Sequence, residues 1–277
     1  MRALHIMERK KLVSEIFKKK SMLCVGLDTR FDLLPEHLQQ LPLKDAMVQF
    51  NKAIIDATSD LAVSFKLNTA FYEQYGSVGW EIMEATLALI PDNILTIADA
   101  KRGDIGNTSK MYAKAFFEQM NFDAITVAPY MGEDSLSPFF GFDQKWVICL
   151  GLTSNKGSLD LQQLDMVNGE PVYLHMMKQV ESWGNPSNLM FVTGATHPKV
   201  LAELRSQFPE HFFLVPGVGA QGGSAKEVCA MAAHKTDGGL LINSSRGIIY
   251  ASNKEDFATK AREAAEHIVL DMQDYFV

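Results

Sequence analysis

Short, mainly apolar runs recur along the chain, separated by longer stretches of mixed polarity. The runs are Met22–Leu27, Ala62–Leu67, Ile94–Ala98, Ala124–Val127, Trp146–Leu150, Leu189–Val192, Phe212–Val215 and Gly239–Ile242. Their brevity and lack of alternation predict strands buried on both faces. Between the first two, Ala46, Met47, Phe50, Ile54, Ala57 and Leu61 repeat at helical spacing. Comparable patterns follow Tyr72, Ser109, Pro171, Pro198, Ser224 and Glu255, and the segment after Met131 carries the faintest one. Eight strand-then-helix units in a chain of 277 residues predict an α/β fold, the closed (β/α)8 TIM barrel. A doubly wound open sheet is the alternative with the same strand count. No linker or low-complexity segment breaks the series, so residues 1–277 read as a single domain. The polar stretch Gly157–Gly169 reads as a loop within it.

The bulk composition removes several classes of function. Lysine and arginine number 26 against 33 aspartates and glutamates, a net charge of −7 that gives no support to nucleic-acid binding. No apolar run approaches the length of a membrane span, and Met1–Leu12 lacks the apolar core of a secretory signal, so the expected location is cytoplasmic. Cys24, Cys149 and Cys229 are odd in number and widely spaced, which suits buried thiols better than a disulfide framework. The seven histidines are scattered without metal-binding spacing, so no metal is expected.

Polar residues collect where six of the predicted strands end. Asp28 ends the first, Lys66 and Asn68 the second, Asp99 and Lys101 the third. Thr153 and Ser154 follow the fifth, Gly217–Gly223 the seventh, and Asn243–Arg246 the eighth. Carboxyl ends of strands are where barrel enzymes place their chemistry. The richest segment is Asp99-Ala100-Lys101-Arg102-Gly103-Asp104-Ile105. Strand alternation puts Asp99 and Lys101 on one face, whereas Asp104 lies past a glycine, where that period no longer applies. The run Gly217-Val218-Gly219-Ala220-Gln221-Gly222 fits the dinucleotide pattern G-x-G-x-x-G, but it follows the seventh strand instead of opening the fold. A phosphate site suits it better, because barrels bind phosphate in the loops after strands seven and eight, where Arg246 adds a fork of donors.

These residues together resemble the orotidine 5′-phosphate decarboxylase family. The likeness rests on G-L-D (Gly26–Asp28), F-K-L-N (Phe65–Asn68), D-A-K-R-G-D-I-G-N-T (Asp99–Thr108), T-S-N-x-G (Thr153–Gly157), P-G-V-G-A-Q-G-G (Pro216–Gly223) and S-S-R-G-I (Ser244–Ile248). The A-D-A-K-R-G-D-I wording and G-A-T-H-P at Gly194–Pro198 are similar to the longer-chain bacterial subgroup. Lys156 departs from the pattern, in which proline commonly follows T-S-N. The resemblance implies conversion of orotidine 5′-phosphate to UMP and CO2 in pyrimidine biosynthesis, without a cofactor, by a homodimer with shared active sites. It implies that Lys66, Asp99 and Lys101 come from one subunit, and Asp104, Ile105 and Thr108 from its neighbour. Asp28 would bind a ribose hydroxyl, Ser154 the pyrimidine edge, and Gly219, Gln221 and Arg246 the 5′-phosphate. Two other readings share part of this pattern: a Mg2+-dependent phosphosugar decarboxylase or aldolase, and a catalytically silent barrel that binds phosphate ligands.

Overall fold

The computed structural model describes residues 7–194, 198–218 and 224–276. Strands β1 (Leu23–Gly26), β2 (Ser64–Asn68), β3 (Leu95–Arg102), β4 (Ala124–Val127), β5 (Trp146–Leu150), β6 (Leu189–Val192), β7 (Phe212–Pro216) and β8 (Leu240–Ser244) are all parallel. They close in sequential order into a barrel. Closure is made by Leu23, Cys24 and Val25 of β1 pairing with Ile242, Asn243 and Ser244 of β8. The closed form, not the open doubly wound sheet, is therefore the fold.

Helix α1 (Arg9–Lys19) precedes the barrel. Then α2 (Leu43–Thr58), α3 (Ser77–Leu89), α4 (Gly106–Lys114), α5 (Glu133–Phe140), α6 (Val172–Glu181), α7 (Pro198–Gln207), α8 (Ala225–Ala232) and α9 (Phe257–Leu270) each follow one strand. The helical spacing read from the sequence is the spacing of burial: Ala46, Met47, Phe50 and Ile54 of α2 all face the sheet. The faint pattern after Met131 is α5, eight residues long and interrupted by Pro138, which cannot donate to the preceding turn. The core between sheet and helices is rich in aromatic residues, among them Phe65, Phe122, Phe191, Phe208, Phe212 and Phe213. Truncating any one of these to alanine costs about 3–5 kcal/mol. Cys24, Cys149 and Cys229 are buried free thiols.

The amino-terminal mouth of the barrel is sealed by the start of α1. The Trp146 indole donates to the Met7 carbonyl at 2.7 Å. Arg9 reaches the carbonyls of Pro186 and Glu210 and the carboxylate of Asp237, and it lies over the Phe212 ring. The opposite mouth, at the strand carboxyl ends, is left open for the site.

Candidate active site

The open mouth holds a cavity of about 300 Å3, lined by residues at or just past the ends of β1, β2, β3, β5, β6, β7 and β8. Its floor is a chain of charges. The Lys66 ammonium lies 2.8 Å from one Asp99 oxygen and 3.6 Å from Asp28. The Lys101 ammonium lies 2.6 Å from the other Asp99 oxygen. Lys66 and Asp99 are nearly covered, whereas the Lys101 side chain is 49% exposed and faces the cavity. Burial by itself pulls the Lys66 pKa down, but the carboxylates of Asp99 and Asp28 more than reverse it and hold it above the usual lysine range. Burial likewise opposes ionisation of Asp99, and the charges of Lys66 and Lys101 override it, holding its carboxyl well below the usual range.

Asp99 and Lys101 meet by a route that strand alternation does not describe. From Ala98 to Arg102, β3 advances four residues while its partner β4 advances two, from Ile125 to Val127. The surplus forms a bulge, and Lys101 sits in it with φ 48°, in the left-handed region that costs a non-glycine residue about 1–3 kcal/mol. The bulge lifts the Lys101 backbone out of the pleat and lets its side chain fold back onto Asp99. Its exit requires a glycine: a Cβ on Gly103 would lie 2.6 Å from the Ala128 carbonyl oxygen.

Asp28 is set by the hydrogen bonds behind it. The Tyr72 hydroxyl donates to the Leu27 carbonyl at 2.8 Å, and Asn51 donates in turn to Tyr72 and Thr86 and accepts from Thr29. Tyr250 donates to the Asp28 carbonyl and accepts from the Arg30 amide. The side chain is left facing the cavity, with one carboxylate oxygen buried and without a hydrogen-bond donor among the described residues. Gly26 lets β8 pass close by, since a Cβ there would lie 2.7 Å from that of Ser245.

Of the residues singled out in the sequence, the cavity wall brings together Asp28, Lys66, Asp99, Lys101, Ser154 and Arg246. It does not include Asp104, Ile105 or Thr108. Asp104 turns back on its own segment, accepting from the Ile105 amide at 2.7 Å, while Ile105 is 64% exposed. Gly219 and Gln221 lie outside the described residues, as does 195–197 of the G-A-T-H-P segment; Gly217 and Val218 line the cavity. One residue that sequence reasoning passed over is Thr126, whose hydroxyl contacts Asp99 and the Lys101 amide. A lone threonine in a buried apolar strand looks like any β-branched core residue. The only available signal was its position one strand over from the Asp99–Lys101 pair.

A closed parallel barrel with a buried lysine–aspartate chain at the strand carboxyl ends defines the architecture of a (β/α)8-barrel enzyme. Residues 21–261 match the orotidine 5′-phosphate decarboxylase / HUMPS family, and the chain belongs to that family. It is 50% identical over 270 residues to the orotidine 5′-phosphate decarboxylase of Phocaeicola vulgatus, covering 96% of this chain and 98% of that one. To the Flavobacterium johnsoniae enzyme of the same name it is 52% identical over 271 residues, covering 97% and 98%. Among solved structures it is similar to Leishmania donovani UMP synthase, with a TM-score of 0.80 and 39% identity. That match covers 93% of this chain and 56% of the synthase, so the chain spans little more than half of that protein.

Proposed function

We propose that the chain decarboxylates orotidine 5′-phosphate to UMP, with Lys101 as the group that stabilises and then protonates the carbanion at C6. The observation that carries this reading is the Lys66–Asp99–Lys101 chain at the cavity floor, with a half-exposed ammonium at its cavity end. The bond from C6 to the carboxylate breaks heterolytically and its electron pair stays on C6. CO2 departs, and a proton passes from the Lys101 Nζ to C6. Negative charge thus moves toward the ammonium as the bond breaks, so the attraction is greater in the transition state than in the ground state. Asp99 fixes the ammonium from one side and is itself fixed by Lys66 from the other.

The remaining roles follow the same reading. The Asp28 carboxylate, which lines the cavity beside the Lys66 ammonium, suits a ribose hydroxyl, and Ser154 on the opposite wall suits the pyrimidine edge. Arg246, with Gly219 and Gln221, takes the 5′-phosphate. Asp104, Ile105 and Thr108 act in the site of a second copy of the chain. Two observations support that assignment: Asp104 stands apart from its own cavity, and Ile105, Met111, Tyr112, Tyr130 and Met131 are exposed on and beside α4 and the turn after β4.

The test is loss of orotidine 5′-phosphate absorbance in the presence of EDTA. The wild type should turn over without metal, and Lys101→Ala should lower kcat by about 10⁴-fold or more, since it removes both proton donor and charge. No turnover in EDTA, with activity on a sugar phosphate once Mg2+ is added, would move the chain to the metal-dependent branch of its family. Tight UMP binding without turnover would make it a binding barrel.

A further inference from the structure

We infer that Thr126 is a positioning residue for the reaction, its hydroxyl locking the Lys101 backbone and the Asp99 carboxylate into one unit. This inference rests on the role proposed above for Lys101. Thr126 is fully buried near the carboxyl end of β4, the neighbour of the bulged strand. The Lys101 amide donates to its Oγ1 at 2.9 Å. That oxygen also lies 2.9 Å from the same Asp99 oxygen that the Lys101 ammonium contacts. A hydroxyl carries one proton, and an amide has no lone pair to accept it, so the Thr126 proton points at Asp99. One side chain thus holds both ends of Lys101: the backbone directly, and the ammonium through Asp99.

The geometry explains why such a tie is needed. Lys101 is in the left-handed region, and the bulge removes its regular place in the β3–β4 ladder. Its amide lies between the pairings that Ala98 and Arg102 make with β4, one residue before the second. The Thr126 hydroxyl takes the place of the missing ladder acceptor and fixes the conformation that aims the ammonium into the cavity.

The experiment compares Thr126→Val, near-isosteric but unable to make either bond, with Thr126→Ser, which keeps both. Steady-state decarboxylation and UMP affinity are measured on each folded variant. Thr126→Val is expected to lose about 10–100-fold in kcat, the scale of misplacing a reacting group by a fraction of an ångström, with UMP affinity within about threefold of wild type. Thr126→Ser should restore kcat to within about threefold. Thr126→Cys, whose thiol hydrogen-bonds weakly, provides the same reading if the valine variant does not fold. An unchanged kcat in the valine or cysteine variant would overturn the inference. So would a serine variant as impaired as valine, or a loss confined to UMP affinity. Absence of turnover by the wild type would instead count against the proposed reaction, leaving the two failures distinct.

Discussion

His211 shows how a single buried group ties this barrel to pH. It is 2% exposed, packed against Phe191 and Phe208, and neither ring nitrogen has a hydrogen-bond partner among the described residues. Glu181 is 3.6 Å away, too far to bond. Burial, reinforced by the charges of Arg9 and Arg205, pushes the imidazole down to about 4. In the unfolded chain it would titrate near its ordinary value of about 6.5. Between those values the unfolded state binds a proton that the folded state refuses, so stability is full above about pH 6.5 and falls as pH drops toward 4. Replacing His211 with leucine should remove on the order of 2 kcal/mol of this dependence. Urea midpoints at pH 7 and pH 5 would check it: a slope unchanged by the substitution would refute the assignment. Lys66 has the opposite sign, since its raised pKa stabilises the fold below the ordinary lysine range and ceases to do so in strong alkali. At this scale the sequence identified the charges but not their geometry. Asp28, Lys66, Asp99 and Lys101 were legible as polar residues closing apolar runs. The left-handed turn at Lys101 and the tie to Thr126 were not, because neither a backbone dihedral nor a cross-strand hydroxyl leaves a mark on residue type.

Among the elements, β3 is the informative one. Its end is pinned by Arg102, which donates to the Ala100 carbonyl at 2.8 Å, pairs with Glu73, and lies over the rings of Tyr112 and Phe116. Arg102→Leu removes the carbonyl bond and leaves Glu73 unpaired in a partly covered setting. It should cost about 1–3 kcal/mol, read as a lowered urea midpoint, and should lower kcat because the bulge loses one of its ties. A variant with wild-type midpoint and turnover would show that the bulge holds without it. The apolar runs gave β4, β5 and β6 their observed limits, since those strands carry no charged residue and end where the apolar run ends. Elsewhere pairing continues into polar residues, at Asn68 on β2, Arg102 on β3 and Ser244 on β8, so hydrophobicity marks the end of burial and not the end of the ladder. Conversely Gly239, taken as the start of β8, has φ 64° and stands before it.

For the whole molecule, the decisive question is whether one barrel makes a site by itself. Lys101→Ala and Asp104→Ala proteins should each be nearly inactive. If Asp104 serves a neighbour's cavity, mixing and re-equilibrating them should restore about one quarter of wild-type activity, because random pairing makes half the dimers mixed and each mixed dimer has one intact site. Activity that stays at the sum of the two parents would confine Asp104 to its own chain. The barrel was legible from eight alternating units, while a homodimer is implied only by resemblance, since exposed apolar residues such as Tyr130 look in a sequence like any core residue.

Closure of the ring has a consequence in time. Strand β1 can pair with β2 as soon as both have been synthesised, but its other edge stays bare until Leu240–Ser244 has emerged from the ribosome. The same wait applies to Arg9, whose partners lie at Pro186, Glu210 and Asp237. The charged floor is different. Asp28, Lys66, Asp99, Lys101 and Thr126 all belong to the first four strand units, so the growing chain carries its lysine–aspartate cluster well before Arg246 exists to complete the cavity wall. Any pairing that the first half of the chain makes in that interval leaves the outer edge of β1 without its β8 partner. During synthesis, then, the outer edge of β1 stays open to pairing with other chains longer than any other edge in the barrel.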